Sequence, residues 1–466
     1  MIPVPGYEDQ AVAVFGLGRT GLATVEALQA GGANVLAWDD NAETRTKAQS
    51  AGFSLIDLDR ADWTEIRALV LSPGVPLTHP EPHRLVKTAG AHSVPVLGDM
   101  ELFAQAMAAL LEDRRPKIIG ITGTNGKSTT TALIGHILKK AGIDTRIGGN
   151  IGDAVLTLDP PRLSTVFVLE LSSYQLDLVH SMSCDIAIWL NLSEDHLDRH
   201  GDMAGYRAAK FRIFANQTPD GAAIVGVDDD YSVAVFSKLK AAKDRELIAI
   251  SSGRSLSHGV YAVGSKLFDG MLTPAHEVLD LATVPTLPGA HNAQNIAAAY
   301  AAARQLGLPA ETITEAIKSF PGLAHRLELV GTHKSVRYVN DSKATNAEAT
   351  AKALASFTDI FWIAGGRKKE GGIGSLAPYF ANIAKAYLIG EAAEEFAATL
   401  GSAVPHEIAG TLENAMDLAA SDAATGGHEA PVILLSPACA SFDQFKDFEH
   451  RGDVFRVLAK ARIGSA

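Results

Sequence analysis

The sequence predicts an α/β protein of three domains, each built on a mainly parallel sheet. Three observations carry that reading: short apolar runs alternate with alanine-rich helical stretches, two of the runs end in glycine loops that open helices, and two breaker segments interrupt the alternation. The chain has 466 residues, room for roughly two to four domains. Apolar residues make up 47% and charged residues 20%, which supplies packed cores and excludes disorder as the main state.

The first domain opens with an apolar run over 11–15, the turn Gly16-Leu17-Gly18-Arg19-Thr20-Gly21 and an alanine-rich stretch over 22–30, which reads as strand, glycine turn and helix. A strand over 34–38 ends in Asp39-Asp40, and another over 68–71 ends in Ser72-Pro73-Gly74. The polar stretch 112–116 then breaks the pattern, placing the first domain at 1–113. From 117 the chain restarts with a strand over 117–121, a second glycine loop, a helix, and strands over 165–169, 185–190 and 222–227. A helix from His291-Asn292 through 303 and a shorter one over 310–319 lead to the breaker Phe320-Pro321-Gly322, which sets a central domain at 114–321. Strands over 337–340, 360–364, 386–389 and 432–435 alternate with helical segments in a third domain at 322–466.

Composition narrows the function. Lys plus Arg number 41 against 53 Asp plus Glu, a formal charge of −12, so sequence-independent nucleic-acid binding is disfavoured and an anionic ligand must be gripped locally. Cys184 and Cys439 are the only cysteines and make neither a disulfide framework nor a zinc ribbon, a usage that fits a reducing cytoplasm. The N-terminus lacks the basic and apolar regions of a secretory signal, and no apolar run approaches the ~20 residues of a membrane helix. The expectation is a cytoplasmic protein without nucleic-acid or membrane partners.

The second glycine loop carries the strongest local signal. Thr122-Gly123-Thr124-Asn125-Gly126-Lys127-Ser128-Thr129 joins a strand to a helix, where backbone N–H groups cradle phosphate oxygens, Lys127 supplies a cation and Ser128 can ligate magnesium. The strict G-x-x-x-x-G-K-[ST] spacing needs glycine at 121, where Ile121 stands, so this is a variant loop. Phosphoryl transfer also calls for metal and positioned charge. Glu170 closes an apolar strand, and Glu194-Asp195-His196 follows another. In an open parallel sheet such strand ends collect the ligand, and their oxygen-rich chemistry suits magnesium. By pattern alone Lys210, in Tyr206-Arg207-Ala-Ala-Lys210, is a solvated surface lysine.

In the first domain, Gly16, Gly18 and Gly21 with Asp39 eighteen residues past the last glycine match the dinucleotide fingerprint. The same turn seats any diphosphate at a helix N-terminus, so NAD, a non-redox nucleotide diphosphate and a structural turn stay open, as does a helix cap for Asp39 and Asp40. Arg19 and Thr20 lie where they can reach phosphates. In the third domain, the post-strand segment 340–346 packs acid, hydroxyl, ammonium and amide together, which suits a ligand loop. Cys439 reads as a small buried thiol, since no basic group is close in sequence.

Four motifs in order, Gly123-Thr124-Asn125-Gly126-Lys127-Ser128, Leu169-Glu170-Leu-Ser-Ser, Glu194-Asp195-His196-Leu-Asp198 and Gly289-Ala-His291-Asn292-x-x-Asn295, resemble the Mur ligase family. Asp341-Ser-Lys343-Ala-Thr345-Asn346 and the segment 435–445 resemble its D-glutamate-adding branch, and the resemblance runs along essentially the whole chain. It implies an N-terminal Rossmann-like domain for a UDP-muramoyl substrate, a central P-loop ATPase and a C-terminal Rossmann-like domain for the amino acid. The implied activity is ATP-dependent amide ligation of D-glutamate to UDP-N-acetylmuramoyl-L-alanine through an acyl phosphate, by a monomer using Mg2+.

Carried over residue by residue, the resemblance places Gly18, Arg19, Thr20, Gly21, Ser72, Pro73, Gly74 and Asn150 along the UDP substrate, with Asp39 and Asp40 near uracil. It gives Gly123 to Thr129 to the ATP phosphates, Asn292 and Asn295 to adenine, and Arg326 and Asp341 to ATP from the third domain. Magnesium falls to Ser128, Glu170, His196 and Lys210, the last in carbamylated form, so that Lys127, Glu170, His196 and Lys210 make the catalytic set. Lys343, Thr345, Lys369, Ser441 and the Phe448 backbone are implied for D-glutamate, although Arg367 stands where some relatives carry an acid. An NAD-dependent oxidoreductase would leave Lys127, Glu170 and His196 without work, and a regulatory ATP-binding protein would keep only the phosphate loop.

Overall fold

The computed structural model describes residues 1–368 and 371–464, organised on three sheets. The first has four parallel strands in the spatial order Asn34–Trp38, Ala11–Phe15, Ile66–Leu71 and Val96–Leu97. Its first strand runs through the glycine turn into the helix Arg19–Ala30. Gly21 explains why the third glycine of that turn is needed: a Cβ there would lie 1.8 Å from the Gly16 carbonyl oxygen, so helix and strand could not approach this closely with any side chain in place.

The second sheet has nine strands. From one edge the order is His276–Asp280, Lys266–Asp269, Val260–Val263, Glu246–Ser251, Ala222–Gly226, Ile186–Trp189, Lys117–Thr122, Val166–Glu170 and Thr145–Gly149. The six strands from Ala222–Gly226 and Glu246–Ser251 to Thr145–Gly149 pair parallel, and Val260–Val263 pairs parallel with Glu246–Ser251. The last two strands then add on antiparallel. The central strands are buried on both faces, and the run Val166–Glu170 stays buried to its terminal carboxylate. The sequence reading expected neither the edge strand Thr145–Gly149 nor the strands between 246 and 280; of these, Thr145–Gly149, Lys266–Asp269 and His276–Asp280 carry lysine, histidine, acids or glycines, the polar composition of sheet margins.

The third sheet runs Glu328–His333, Val336–Asn340, Val432–Leu435, Ile360–Gly365, Ile383–Ile389 and His406–Gly410, parallel except for the first pair. By packing, residues 1–283 with 290–319 form one compact unit and 284–289 with 320–464 belong to a second. Every sheet is thus a mainly parallel α/β sheet, which gathers loops at its carboxyl ends. Both cysteines are free and buried, and burial pushes the Cys184 thiol up to about 12. No helix among the described residues is long and apolar enough to cross a membrane.

The helix Asp99–Ala108 begins without a side-chain cap and buries its first carboxylate. Among the described residues, Asp99 Oδ1 has no hydrogen-bond partner, and burial pushes the group up to about 6 despite hydrogen bonds from the Met100 backbone and Gln175. Because the folded state holds this proton more tightly than the unfolded chain, the penalty is full above about pH 6 and vanishes below the unfolded value near 4. Asp99→Asn should therefore stabilise the protein by on the order of 2–3 kcal/mol at pH 8 and by nothing at pH 3.5, read from urea unfolding midpoints at the two pH values.

Candidate active site

The strand Lys117–Thr122 delivers the chain to a loop whose shape is fixed by backbone constraints and by one asparagine. Gly123 and Gly126 both have positive φ, +151° and +85°. At Gly126 a Cβ would lie 2.2 Å from Asn295 Oδ1, so this left-handed turn also needs the missing side chain for space. Asn191 follows the neighbouring strand Ile186–Trp189 and braces the loop. Its Oδ1 accepts from Asn125 N at 2.9 Å, its Nδ2 donates to Asn125 O at 3.2 Å and to Gln294 Oε1 at 3.0 Å, and its carbonyl accepts from Thr124 N at 3.0 Å. The helix Lys127–Lys140 starts directly after Gly126, with Ser128 buried and Thr129 half-buried in its first turn. The amides at a helix N-terminus make an anion site.

Two ammonium groups meet at the lip of this loop. Lys127 Nζ donates to the carbonyls of Gly123 and Thr124, both at 2.9 Å, and Lys210 Nζ donates to the same Gly123 carbonyl at 2.9 Å. Lys210 is 1% exposed and sits 4.7 Å from the centroid of the Tyr206 ring, which overturns the surface reading made from its helical pattern. Burial, reinforced by the charge of Lys127, holds its pKa well below the ordinary lysine value.

Glu170 stands across from Ile121 on the adjacent strand. Its Oε1 accepts from Asn150 Nδ2 at 2.7 Å, while Oε2 is buried with no hydrogen-bond partner among the described residues. An orphaned carboxylate oxygen at a strand end beside a phosphate loop fits a hard divalent cation. No three His, Cys, Asp or Glu side chains converge among the described residues; magnesium usually needs only one or two protein carboxylates, because water and phosphate oxygens complete its shell. His196 lies at a left-handed position, φ +54°, ahead of the short helix Leu197–His200. Its Nδ1 is 2.8 Å from the Tyr174 hydroxyl and its Nε2 is 3.3 Å from Asp195 Oδ2; burial lowers its pKa. Asn292 and Asn295 are buried together, Asn295 donating to Asn292 Oδ1 at 3.0 Å and accepting from Thr130 Oγ1 at 3.2 Å.

The first sheet contributes its own loops. Asp39 Oδ2 accepts from Leu17 N at 2.7 Å and Oδ1 from Asn41 N at 2.8 Å, so this carboxylate ties the second strand to the glycine turn, and the helix cap proper is Asn41. Ser72 Oγ donates to Gly16 O at 2.7 Å, joining the Ser72-Pro73-Gly74 turn to the same glycines. Gly18 precedes the helix that Arg19 and Thr20 begin, and Arg19 reaches Gly152 O at 2.7 Å, in the loop that carries Asn150. Asp40 sits in an ion-pair cluster with Arg84 at 2.6 Å and His83 at 3.3 Å.

In the second compact unit, Asp341 is buried. It accepts from Ser436 Oγ at 2.8 Å and Leu327 N at 3.2 Å, and burial pushes it up to about 7 against the charge of Arg326. Lys343 Nζ lies 5.0 Å from the Phe448 ring centroid, Thr345 N donates to Lys343 O at 2.9 Å, and the Phe448 carbonyl accepts from Ser342 Oγ at 2.8 Å. Ser441 is buried and its carbonyl accepts from Phe445 N at 2.8 Å. Lys369 lies outside the described residues. Sequence reasoning passed over Arg451, which is fully buried and grips Ser342 Oγ, Ser342 O and Cys439 O at 2.9, 2.7 and 3.1 Å. Asn191 and Arg451 both sit within or beside motifs already noted; side chains that bond backbone give no pattern of their own.

Comparison with known proteins agrees with this geometry. Residues 10–98 match the Mur ligase MurD-like N-terminal domain, 121–303 the Mur ligase middle domain and 325–439 the Mur ligase glutamate ligase domain. The chain is 55% identical to the UDP-N-acetylmuramoylalanine--D-glutamate ligase of Caulobacter vibrioides, over 98% of this chain and 97% of that one. It is 54% identical to the protein of the same name from Phenylobacterium zucineum, over 99% and 98%. Its fold is similar to that of UDP-N-acetylmuramate-alanine ligase MurC from Thermotoga maritima, with a TM-score of 0.56 at 16% identity over 97% of this chain and 99% of that one. MurF from Acinetobacter baumannii gives 0.56 at 19% identity, over 97% and 91%.

Gly126→Ala should weaken binding of magnesium-ATP by at least about tenfold, because the left-handed turn and the contact with Asn295 both resist a methyl group. Calorimetric titration checks this, and an unchanged affinity would show that the turn is not part of the nucleotide site.

Proposed function

The chain belongs to the Mur ligase family, and from that membership we infer an ATP-dependent ligase that joins D-glutamate to UDP-N-acetylmuramoyl-L-alanine, making a peptidoglycan precursor. The observation that carries the chemistry is the pairing of a glycine-walled helix N-terminus with the orphaned Oε2 of Glu170 on the adjoining strand. Together they offer donors for a triphosphate and an acceptor for the metal that accompanies it.

The alanyl carboxylate is a poor electrophile, because its leaving group would be an oxide. We propose that the γ-phosphoryl group is transferred to that carboxylate, giving an acyl phosphate and ADP. The amine of D-glutamate then adds to the carbonyl carbon; the C–N bond forms, the C–O bond to phosphate breaks, and the amine gives up a proton. In this scheme the loop amides from Gly123 to Thr129 and the Lys127 ammonium hold the phosphates and offset the charge that spreads over the transferring group. Ser128, Glu170 and His196 would hold magnesium, which supplies Lewis-acid polarisation of the phosphoryl oxygens when bound. Asn292 and Asn295 are assigned to the adenine end. The UDP moiety is assigned to Gly18 to Gly21, Asp39, Asp40, Ser72 to Gly74 and Asn150. Arg326 and Asp341 are assigned to ATP and Lys343, Thr345, Lys369, Ser441 and Phe448 to D-glutamate.

Lys210 is proposed to work as its carbamate. A buried amine whose pKa is held low gives up its proton more readily than an ordinary lysine, the free amine is nucleophilic toward CO2, and the carbamate it forms is an anion that sits well beside Lys127 and a metal. Two buried free thiols support a reducing, cytoplasmic setting, and we propose that the chain works there as a monomer.

Phosphate release from magnesium-ATP and UDP-N-acetylmuramoyl-L-alanine should require D-glutamate, with L-glutamate and L-lysine inactive and the amide product seen by mass. Release with another amino acid instead would replace the substrate assignment. Lys127→Ala should lower kcat by about a thousandfold or more in a folded protein, as loss of a phosphate-binding cation does. Protein equilibrated with 13C-labelled bicarbonate should show a carbamate carbon resonance that Lys210→Ala lacks.

A further inference from the structure

Arg199 has no part in the scheme above, yet it bridges the two halves of the first compact unit. It leaves the short helix Leu197–His200 one turn after His196, and its two terminal nitrogens donate to the carbonyls of Gly74 at 2.8 Å and Val75 at 2.9 Å. Those carbonyls belong to the turn that follows the strand Ile66–Leu71, whose Ser72 hydroxyl is bonded to Gly16 of the glycine turn. On its other side the guanidinium carbon lies 4.7 Å from the centroid of the Tyr174 ring, and the Tyr174 hydroxyl is 2.8 Å from His196 Nδ1. One planar cation therefore touches the diphosphate turn of the first sheet and the tyrosine that orients the histidine of the second.

We infer that Arg199 is a positioning residue that fixes the Ser72-Pro73-Gly74 turn against the Tyr174–His196 pair, so that the seat of the UDP-muramoyl substrate is set relative to the phosphoryl-transfer site. The inference rests on the ligase reading above. A guanidinium suits the task because its fork meets two successive carbonyls while its flat face stacks on a ring; an ammonium does one of these at a time. The transferred phosphoryl group and the alanyl carboxylate come from different sheets' ligands, and an error of about 1 Å in their approach costs on the order of a hundredfold in rate.

Steady-state kinetics with each substrate varied in turn, on wild type, Arg199→Met and Arg199→Lys, test it. For Arg199→Met the KM for UDP-N-acetylmuramoyl-L-alanine should rise by about tenfold or more and kcat should fall, while the KM for D-glutamate stays within about twofold; two charge-assisted hydrogen bonds are lost on one side only. Arg199→Lys should lie between methionine and wild type. A rise of equal size in both KM values overturns the inference, as does a lowered thermal midpoint with kinetics unchanged, which is what a purely structural arginine would give. Full rescue by lysine also overturns it, since the fork is then not used. Calorimetric titration of UDP-N-acetylmuramoyl-L-alanine should show the same loss of affinity without turnover. Wild type that binds this ligand but does not turn over sinks the ligase reading alone; equal affinity in wild type and Arg199→Met sinks the role of Arg199 alone; wild type that binds none sinks both.

Discussion

Two lysine nitrogens that converge on the one carbonyl oxygen of Gly123 set the character of the whole site. Like charges so close repel, and here one of them is buried, so the protein tolerates the pair by lowering the proton affinity of Lys210 and by bonding both nitrogens to the same acceptor. The arrangement is relieved when negative charge arrives. Under the proposed reading, phosphate oxygens between loop and lysines would turn a repulsive cluster into an attractive one. The surrounding structure serves to hold that cluster in place: Gly123 and Gly126 let the backbone fold tightly, Asn191 braces it from the next strand, and the helix Lys127–Lys140 points its positive end at the same spot.

The same logic explains why so acidic a chain handles three anionic ligands. Its net charge of −12 repels polyanions at long range, while single cations are placed in loops after particular strands. Arg19 and Arg199 lie in or beside loops of the first compact unit, and each donates to backbone carbonyls. Carbonyls orient a cation without neutralising it, so the charge remains available to a ligand. Arg84 shows the contrast, since Asp40 and Asp59 satisfy it and leave little net field.

Much of this was legible in the sequence wherever function depends on backbone shape. Glycines at 16, 21, 123 and 126 announce their geometry because few other residues permit it, and a carboxylate at the end of an apolar strand stands out as well. Lys210 was not legible in that way. On a nine-residue helix, Met203–Phe211, periodicity does not separate a lysine that faces water from one that faces the core, and only the resemblance to known ligases singled it out. Asp39 matched the dinucleotide fingerprint, and its carboxylate also closes the glycine turn through Leu17 and Asn41, a use that spacing does not reveal. Lys266–Asp269 and His276–Asp280 escaped for another reason: at the margin of a sheet the alternation is diluted by polar residues, and pairing with a neighbour already in place supplies what propensity does not.

The two cysteines have a use beyond their chemistry. Cys184 and Cys439 lie in the interiors of different compact units and present no thiol to solvent, and burial keeps the Cys184 thiol protonated at neutral pH. Maleimide dyes should pass the native protein by. A pair of cysteines introduced on the surface, one in each unit, can then carry donor and acceptor fluorophores without removing any natural residue, and the separation of the units can be followed ligand by ligand in single molecules.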